Sequence, residues 1–439
     1  MQPRSRRTAV LRAALAIGTA LVAATVLAGP AAAAPPPFST TTLVSVGRFG
    51  GPANSVSGEP AVSATGRYVA YSSFATNLVA KDTNASQDVF VRDLVTGPTR
   101  RVSVGAGGAQ GNRGSFTPAI SADGRYVAFA SDATNLVSGD TNAQTDVFVR
   151  DTVAGTTRRV SVGPRNRQAN GPSFFPAISA DGRYVLFLSA GSNLVSGDTN
   201  GFGDVFVRDI VAGTTRRVNV GAGGQANNAT LLPDLSGNGR YAVFMSYADN
   251  LVSGDTNADV DVFVRDIVAG TTRRVSVGPG GVQGNSTSRS PSISADGRYV
   301  AFDSFATNLV SGDTNGAVDV FVRDLVGRTT RLVSIDSAGA PSTGASFAPS
   351  ISGDGRRVAF LARAALVPGD TNDIGDVYLR DLVEATTTRI SVAAGGAEFN
   401  LLTDSPAISA YGWHVAFVSA APDHVPGDTN NAEDVFVRH

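Results

Sequence analysis

The tripeptide Asp-Thr-Asn begins at Asp82 and returns at Asp140, Asp198, Asp255, Asp313, Asp370 and Asp428, at intervals of 57 or 58 residues. A proline keeps the same register at Pro60, Pro118, Pro176, Pro233, Pro291, Pro349 and Pro406. So regular a period over most of a 439-residue chain means one supersecondary unit stacked seven times.

Each unit reads as four short strands. In the second copy they are PAIS (118–121), RYVAFAS (125–131), DVFVRD (146–151) and TRRVSV (157–162). These are β-branched and aromatic runs bounded by Gly, Asp, Asn and Pro. The SADG segment, Ser121 to Gly124, predicts a tight turn in which Asp sets the bend and Gly accepts positive φ. Four antiparallel strands repeated seven times predict an all-β, seven-bladed β-propeller. YVAF and VFV are apolar at consecutive positions, so both faces of each sheet want burial, as blades packed face to face provide. A β-solenoid is the rival, but its coils are shorter and seldom hold hairpins.

The last copy stops at DVFVRH (434–439), without a fourth strand, and TTTLVSVG (40–47) matches the missing one. Residues 41–46 are therefore expected to complete the seventh blade and hide its edge.

The segment PAISADGRYVAFASDATNL followed by DVFVRD resembles the TolB-type, WD40-like (PD40) propeller repeat. The resemblance covers about residues 40–439 and implies the propeller fold. The family's tryptophan is replaced by Val62, Ile120, Ile178, Leu235, Ile293, Ile351 and Ile408, and its second proline by Ala122 and its counterparts. The copy number is seven, where the translocation protein has six. The resemblance thus carries the fold and not the translocation role.

The N-terminus reads as an export signal. Arg4, Arg6, Arg7 and Arg12 precede an apolar stretch over 13–28, and Ala31 to Ala34 supply small residues for cleavage. Residues 1–34 are then a leader, 35–39 a short linker and 40–439 the propeller. A Sec-type route fits best; SRRTAV at 5–10 partly matches a twin-arginine signal, the alternative. The expected location is secreted or extracytoplasmic, with no membrane segment after the leader. A formal charge of −1 gives no basic surplus for nucleic acid. The absence of cysteine excludes disulfides, thiolate metal sites and a cysteine nucleophile.

Strand order puts the SADG and VAGT turns on one face of the disc. The longer NLVSGDTN loops and the connections between blades share the other, where recognition is expected. Each Asp-Thr-Asn loop carries oxygen ligands at relative positions 1, 3 and 7, the pattern of a weak calcium site. The candidates are Asp82, Asn84 and Asp88; Asp140, Asn142 and Asp146; Asp198, Asn200 and Asp204; Asp255, Asn257 and Asp261; Asp313, Asn315 and Asp319; Asp370, Asn372 and Asp376; and Asp428, Asn430 and Asp434. A polar structural turn explains the same residues. An EF-hand does not, because the acid at position 12 (Asp324 in the fifth copy) lies ~15 Å along a strand from Asp319.

Two further columns invite structural readings. Asn54, Asn112, Asn170, Asn227, Asn285 and Asn400, replaced by Thr343 in the sixth copy, fit turns in which Asn bonds its own backbone. The VRD arginines, Arg92, Arg150, Arg208, Arg265, Arg323, Arg380 and Arg438, are expected to pair with the adjacent aspartates between blades.

A catalytic centre would break the sevenfold pattern. The breaks are Asp234 after its proline, Glu59, Arg289, Glu398 and Asp404, and the histidines His414, His424 and His439, with Trp413 and His414 read as local packing. The reading that follows is a monomeric, non-catalytic scaffold that binds a protein or a cell-envelope glycan on its loop face. The alternative is a carbohydrate-active hydrolase or lyase with acids at the channel mouth.

Overall fold

The computed structural model describes residues 38–439 except Asp373, Ala394, Asp423, His424, Pro426 and Gly427. The proposed leader and His424 lie outside the described residues. Seven four-stranded antiparallel sheets follow one another around a ring. Blade 2 is Ser115–Ile120, Tyr126–Ser131, Asp146–Asp151 and Thr156–Arg159, each strand bonded to the next in sequence. The inner strands of the others are Ser57–Val62 (blade 1), Ser173–Ile178 (blade 3), Thr230–Leu235 (blade 4), Ser288–Ile293 (blade 5), Ser346–Ile351 (blade 6) and Thr403–Ile408 (blade 7).

Thr41–Leu43 forms the outer strand of blade 7, with Thr41 opposite Arg438, Thr42 opposite Val437 and Leu43 opposite Phe436. The predicted strand over 41–46 is shorter because the chain turns after Leu43, as every outer strand does. Val46 bridges Pro52 just as Val104 bridges Gln110 in the connection after blade 1.

The hydrophobic core lies between blades. Side chains alternate across a strand, so Val127 and Phe129 pack on Ala70, Val89 and Val91 of blade 1, while Ala128 packs toward Val185 and Phe187 of blade 3. The ring closes the same way, with Val69, Tyr71 and Phe90 of blade 1 against Ala416, Val418 and Val437 of blade 7. This explains the consecutive apolar residues of the two middle strands.

The SADG turns close the ring a second time. A backbone hydrogen bond passes from each turn to the next: Ala64 to Ala122, Ala122 to Ala180, Ala180 to Gly237, Asn238 to Ala295, Ala295 to Gly353, Gly353 to Ala410, and Tyr411 back to Ala64, at 2.8–3.1 Å. The turn glycine cannot be replaced cheaply. Gly182 has φ +73° and a Cβ there would lie 2.2 Å from the Tyr126 ring of the preceding blade.

Each inner strand is kinked beside the channel. The residue before the repeat proline takes a left-handed conformation in all seven blades, from Leu232 at φ +46° to Glu59 at +53°. Pairing with the second strand is interrupted there, between Phe174 and Ala177 in blade 3, for example. Such non-glycine conformations cost of order 1–3 kcal/mol each and persist only where the surrounding fold imposes them.

Candidate functional site

The two faces of the disc are chemically different. On the face of short turns, Arg125 makes a two-pronged pair with Asp151 at 3.0 and 2.7 Å and lies over the Tyr126 ring. Asp151 also accepts the turn N–H groups of Val153 and Ala154. The arginine bond, above all, draws the Asp151 carboxyl down to about 2. Equivalent pairs recur at Arg67–Asp93, Arg183–Asp209, Arg240–Asp266 and Arg298–Asp324. Clefts between neighbouring blades, about 320 Å³ beside Tyr126 and Arg183 and about 410 Å³ beside Tyr68 and Arg125, repeat with the blades.

The Asp-Thr-Asn loops lie on the opposite face against the interblade connections. Asn142 accepts the N–H of Gln144, closing the turn, and donates to Asp146 and to the Ala169 carbonyl in the next connection. Asp146 is fully buried and accepts from Ser161. An arginine from the outer strand enters this space. Arg159 lies 3.1 Å from Asp140 and 3.2 Å from Asp146. Arg101, Arg217, Arg274 and Arg389 occupy the same place in blades 1, 3, 4 and 6, bridging Asp82 and Asp88, Asp198 and Asp204, Asp255 and Asp261, and Asp370 and Asp376 at 3.2–3.7 Å. In blades 1 and 4 a glutamine adds to it: Gln110 and Gln283 each donate to both aspartates. Glu398 takes that position in blade 6 and pairs with Arg389 at 2.8 Å. Five of the seven candidate metal loops therefore hold a guanidinium between their carboxylates. Among the described residues no group of three or more His, Asp or Glu side chains is arranged to hold a metal. Sequence reasoning missed the arginine, although it stands 19 residues after the first aspartate in each of these blades.

The VRD arginines do not pair with carboxylates as expected. Arg150 donates to Thr157 and Arg208 to Thr215 and Asn166, and none of the column forms an ion pair among the described residues. The threonines in turn bond carbonyls of the preceding connection, Thr157 to Val104 and Thr215 to Val162. Their aspartates belong instead to the arginine of the GRY segment. The asparagine column clamps two loops rather than its own turn: Asn112 donates to the Thr134 hydroxyl and accepts the Thr134 N–H.

Most of the residues that break the pattern are engaged by neighbouring groups. Asp234 is pushed up to about 6, chiefly by burial, yet its oxygens accept the N–H groups of Leu235 and Ile293. Ser292 and Ser350 do the same for Ile351 and Ile408 in the following blades, so Asp234 ties one inner strand to the next. Glu59 accepts from Ser72 and from the Thr117 N–H of blade 2. Arg289 pairs with the buried Asp303 at 2.7 Å and lies over the Phe305 ring, a partner that the sequence pattern did not single out. Asp404 accepts from the Ser405 N–H beside it. His414 stacks on His439, and Arg357 lies over Trp413, which makes both departures local packing.

The residue after the second strand distinguishes the blades on the loop face. Phe74, Tyr247 and Phe305, in blades 1, 4 and 5, are about half exposed there. Each is anchored by its N–H to the connection leading into its own blade, at the carbonyls of Val56, Ala229 and Thr287. Blades 2, 3, 6 and 7 have Asp132, Ala190, Arg363 and Ala420 at this position.

No protein-family model matches the sequence, and no curated protein matches it. Solved structures do resemble it. A putative TolB from Agrobacterium tumefaciens is 17% identical over 63% of this chain and 80% of its own, with a TM-score of 0.40. Oligogalacturonate lyase in complex with manganese is 11% identical over 91% and 90%, at 0.53. The β-propeller domain of the Trilobed protease from Pyrococcus furiosus, described as having an open velcro topology, is 10% identical over 88% and 95%, at 0.51. Likenesses at such identities establish a shared fold. The chain is a seven-bladed β-propeller fastened by its own N-terminal strand.

Proposed function

We propose that this chain is an exported, non-catalytic propeller that binds a protein or a cell-envelope glycan on its loop face. The observation that carries the reading is the half-exposed set Phe74, Tyr247 and Phe305. These aromatic side chains stand together on the loop face, at positions where other blades carry small or charged residues. The opposite face is occupied by repeated turns that bond one another around the ring. Export rests on the arginine-led apolar segment over 13–28. Among the described residues no helix is long and apolar enough to cross a membrane. The non-catalytic reading rests on Asp234, whose oxygens are engaged by backbone N–H groups.

The test is retention of the purified chain on cell-wall sacculi and on a glycan and envelope-protein array. Phe74→Ala/Tyr247→Ala/Phe305→Ala should lose retention about tenfold or more with an unchanged circular dichroism spectrum. Equal retention would reject the loop face. Asp234→Ser, which mimics Ser292 and Ser350, should bind as the parent does. Polysaccharide cleavage by the parent that Asp234→Ser abolishes would favour the hydrolase or lyase.

A further inference from the structure

Blades 5 and 7 depart together from the arginine-filled loops. In blade 5, Leu332 stands opposite Phe321, where Arg274 of blade 4 stands opposite Phe263. In the same blade Pro341 bridges Ile335, where Gln283 bridges Val277. Both donors that serve the carboxylates in blade 4 are thus replaced by side chains with no hydrogen to give. The same double replacement occurs in blade 7, where Leu43 and Pro52 hold the corresponding positions.

The aspartates themselves stay. Asp319 is fully buried and accepts from Ser334 and Asn315. Asp313 is only 8% exposed, and its Oδ1 has no hydrogen-bond partner. Two desolvated carboxylates side by side are costly unless a cation compensates them. Five sister blades meet that demand with a guanidinium, which in blades 1, 2, 3 and 6 also donates to the carbonyl just before the first aspartate, at Lys81, Gly139, Gly197 and Gly369. Gly312 stands at that position in blade 5.

We propose that the Asp313–Asp319 pocket of blade 5 binds a hard divalent cation of the calcium type, in the place that arginine fills in five other blades. The two carboxylates and a neighbouring backbone carbonyl supply oxygen ligands and water completes the shell, as calcium accepts. So few protein ligands suit a dissociation constant of roughly 0.1–1 mM, the range of extracellular modules. The inference stands apart from what the loop face binds.

Calcium titration of the full, EGTA-stripped chain by calorimetry and equilibrium dialysis tests it. Leu332→Arg, which supplies the guanidinium internally, should bind one calcium equivalent fewer than the parent. Asp313→Asn, which keeps the side-chain shape, should lose the same equivalent, so a misfolded Leu332→Arg would not shelter the proposal. Asp140→Asn, in an arginine-filled blade, should bind as many as the parent. No binding up to 10 mM would overturn the proposal, a shared proton then being what the pocket holds. A stoichiometry equal to the parent's in both Leu332→Arg and Asp313→Asn would overturn it too.

Discussion

Phe321 pairs with Leu332 in blade 5 at the position where Phe148 of blade 2 pairs with Arg159. That single exchange separates a carboxylate pair that carries its own counter-charge from one that does not. Arg159→Leu should therefore leave Asp140 and Asp146 buried without their guanidinium and cost about 3–5 kcal/mol. Calorimetry in EGTA checks this. A loss below about 1 kcal/mol would mean that the arginine only fills space.

The turn glycines make a separate claim about the opposite face. Gly182→Ala puts a methyl group 2.2 Å from the Tyr126 ring and places alanine at φ +73°. The expected loss is about 2–3 kcal/mol, read as a lower melting temperature. Adding Tyr126→Ala should not restore the parent, because the backbone strain remains and the ring contact is lost.

Much of this was legible in the sequence. The 57–58-residue period, the four strand-like runs and the orphan TTTLVSVG segment specify seven blades and the closing strand. The apolar runs YVAF and VFV foretold burial on both faces. Partners across strands were harder to read. The arginine that fills the Asp140 loop comes from the outer strand, beyond the one that follows the loop, and TTRL in place of TTRR gains its meaning only when Pro341 is read beside Leu332. The VRD arginines looked in need of carboxylates because sequence shows adjacent charge and not direction. Alternation along the strand sends Arg150 toward Thr157 and Asp151 toward Arg125. The left-handed residues before the prolines, as diverse as Glu59, Phe175 and Ser405, carry no residue-type signal at all.

Closure by Thr41–Leu43 should decide stability. A chain lacking 38–47 loses that strand, the Ser45–Asp434 hydrogen bond and the packing of Val44. It exposes an unpaired strand edge at Asp434–Arg438. Its melting temperature should fall by ten degrees or more, with concentration-dependent association seen by light scattering. An unchanged melting temperature would contradict closure.

Acid should act in two opposed ways. Asp151 and Asp324 titrate near 2, held down first by Arg125 and Arg298, against an ordinary value of 3.8. The unfolded chain binds more protons between those values, so their stabilisation is present above pH ~4 and is lost as pH falls to about 2. Asp376 and Asp434 titrate near 6, raised chiefly by burial. There the native chain binds more protons, so their contribution is greatest below pH ~4 and declines as pH rises to about 6. Melting temperatures in EGTA should peak near pH 4. Asp434→Asn should flatten the upper limb, and Asp151→Asn the lower one.

The assignment of the binding face is tested most directly by amide hydrogen exchange of the full chain with and without soluble cell-wall fragments. The account predicts protection confined to the segments around Phe74, Tyr247 and Phe305 and the neighbouring Asp-Thr-Asn loops. Protection confined to the SADG and VAGT turns would contradict it.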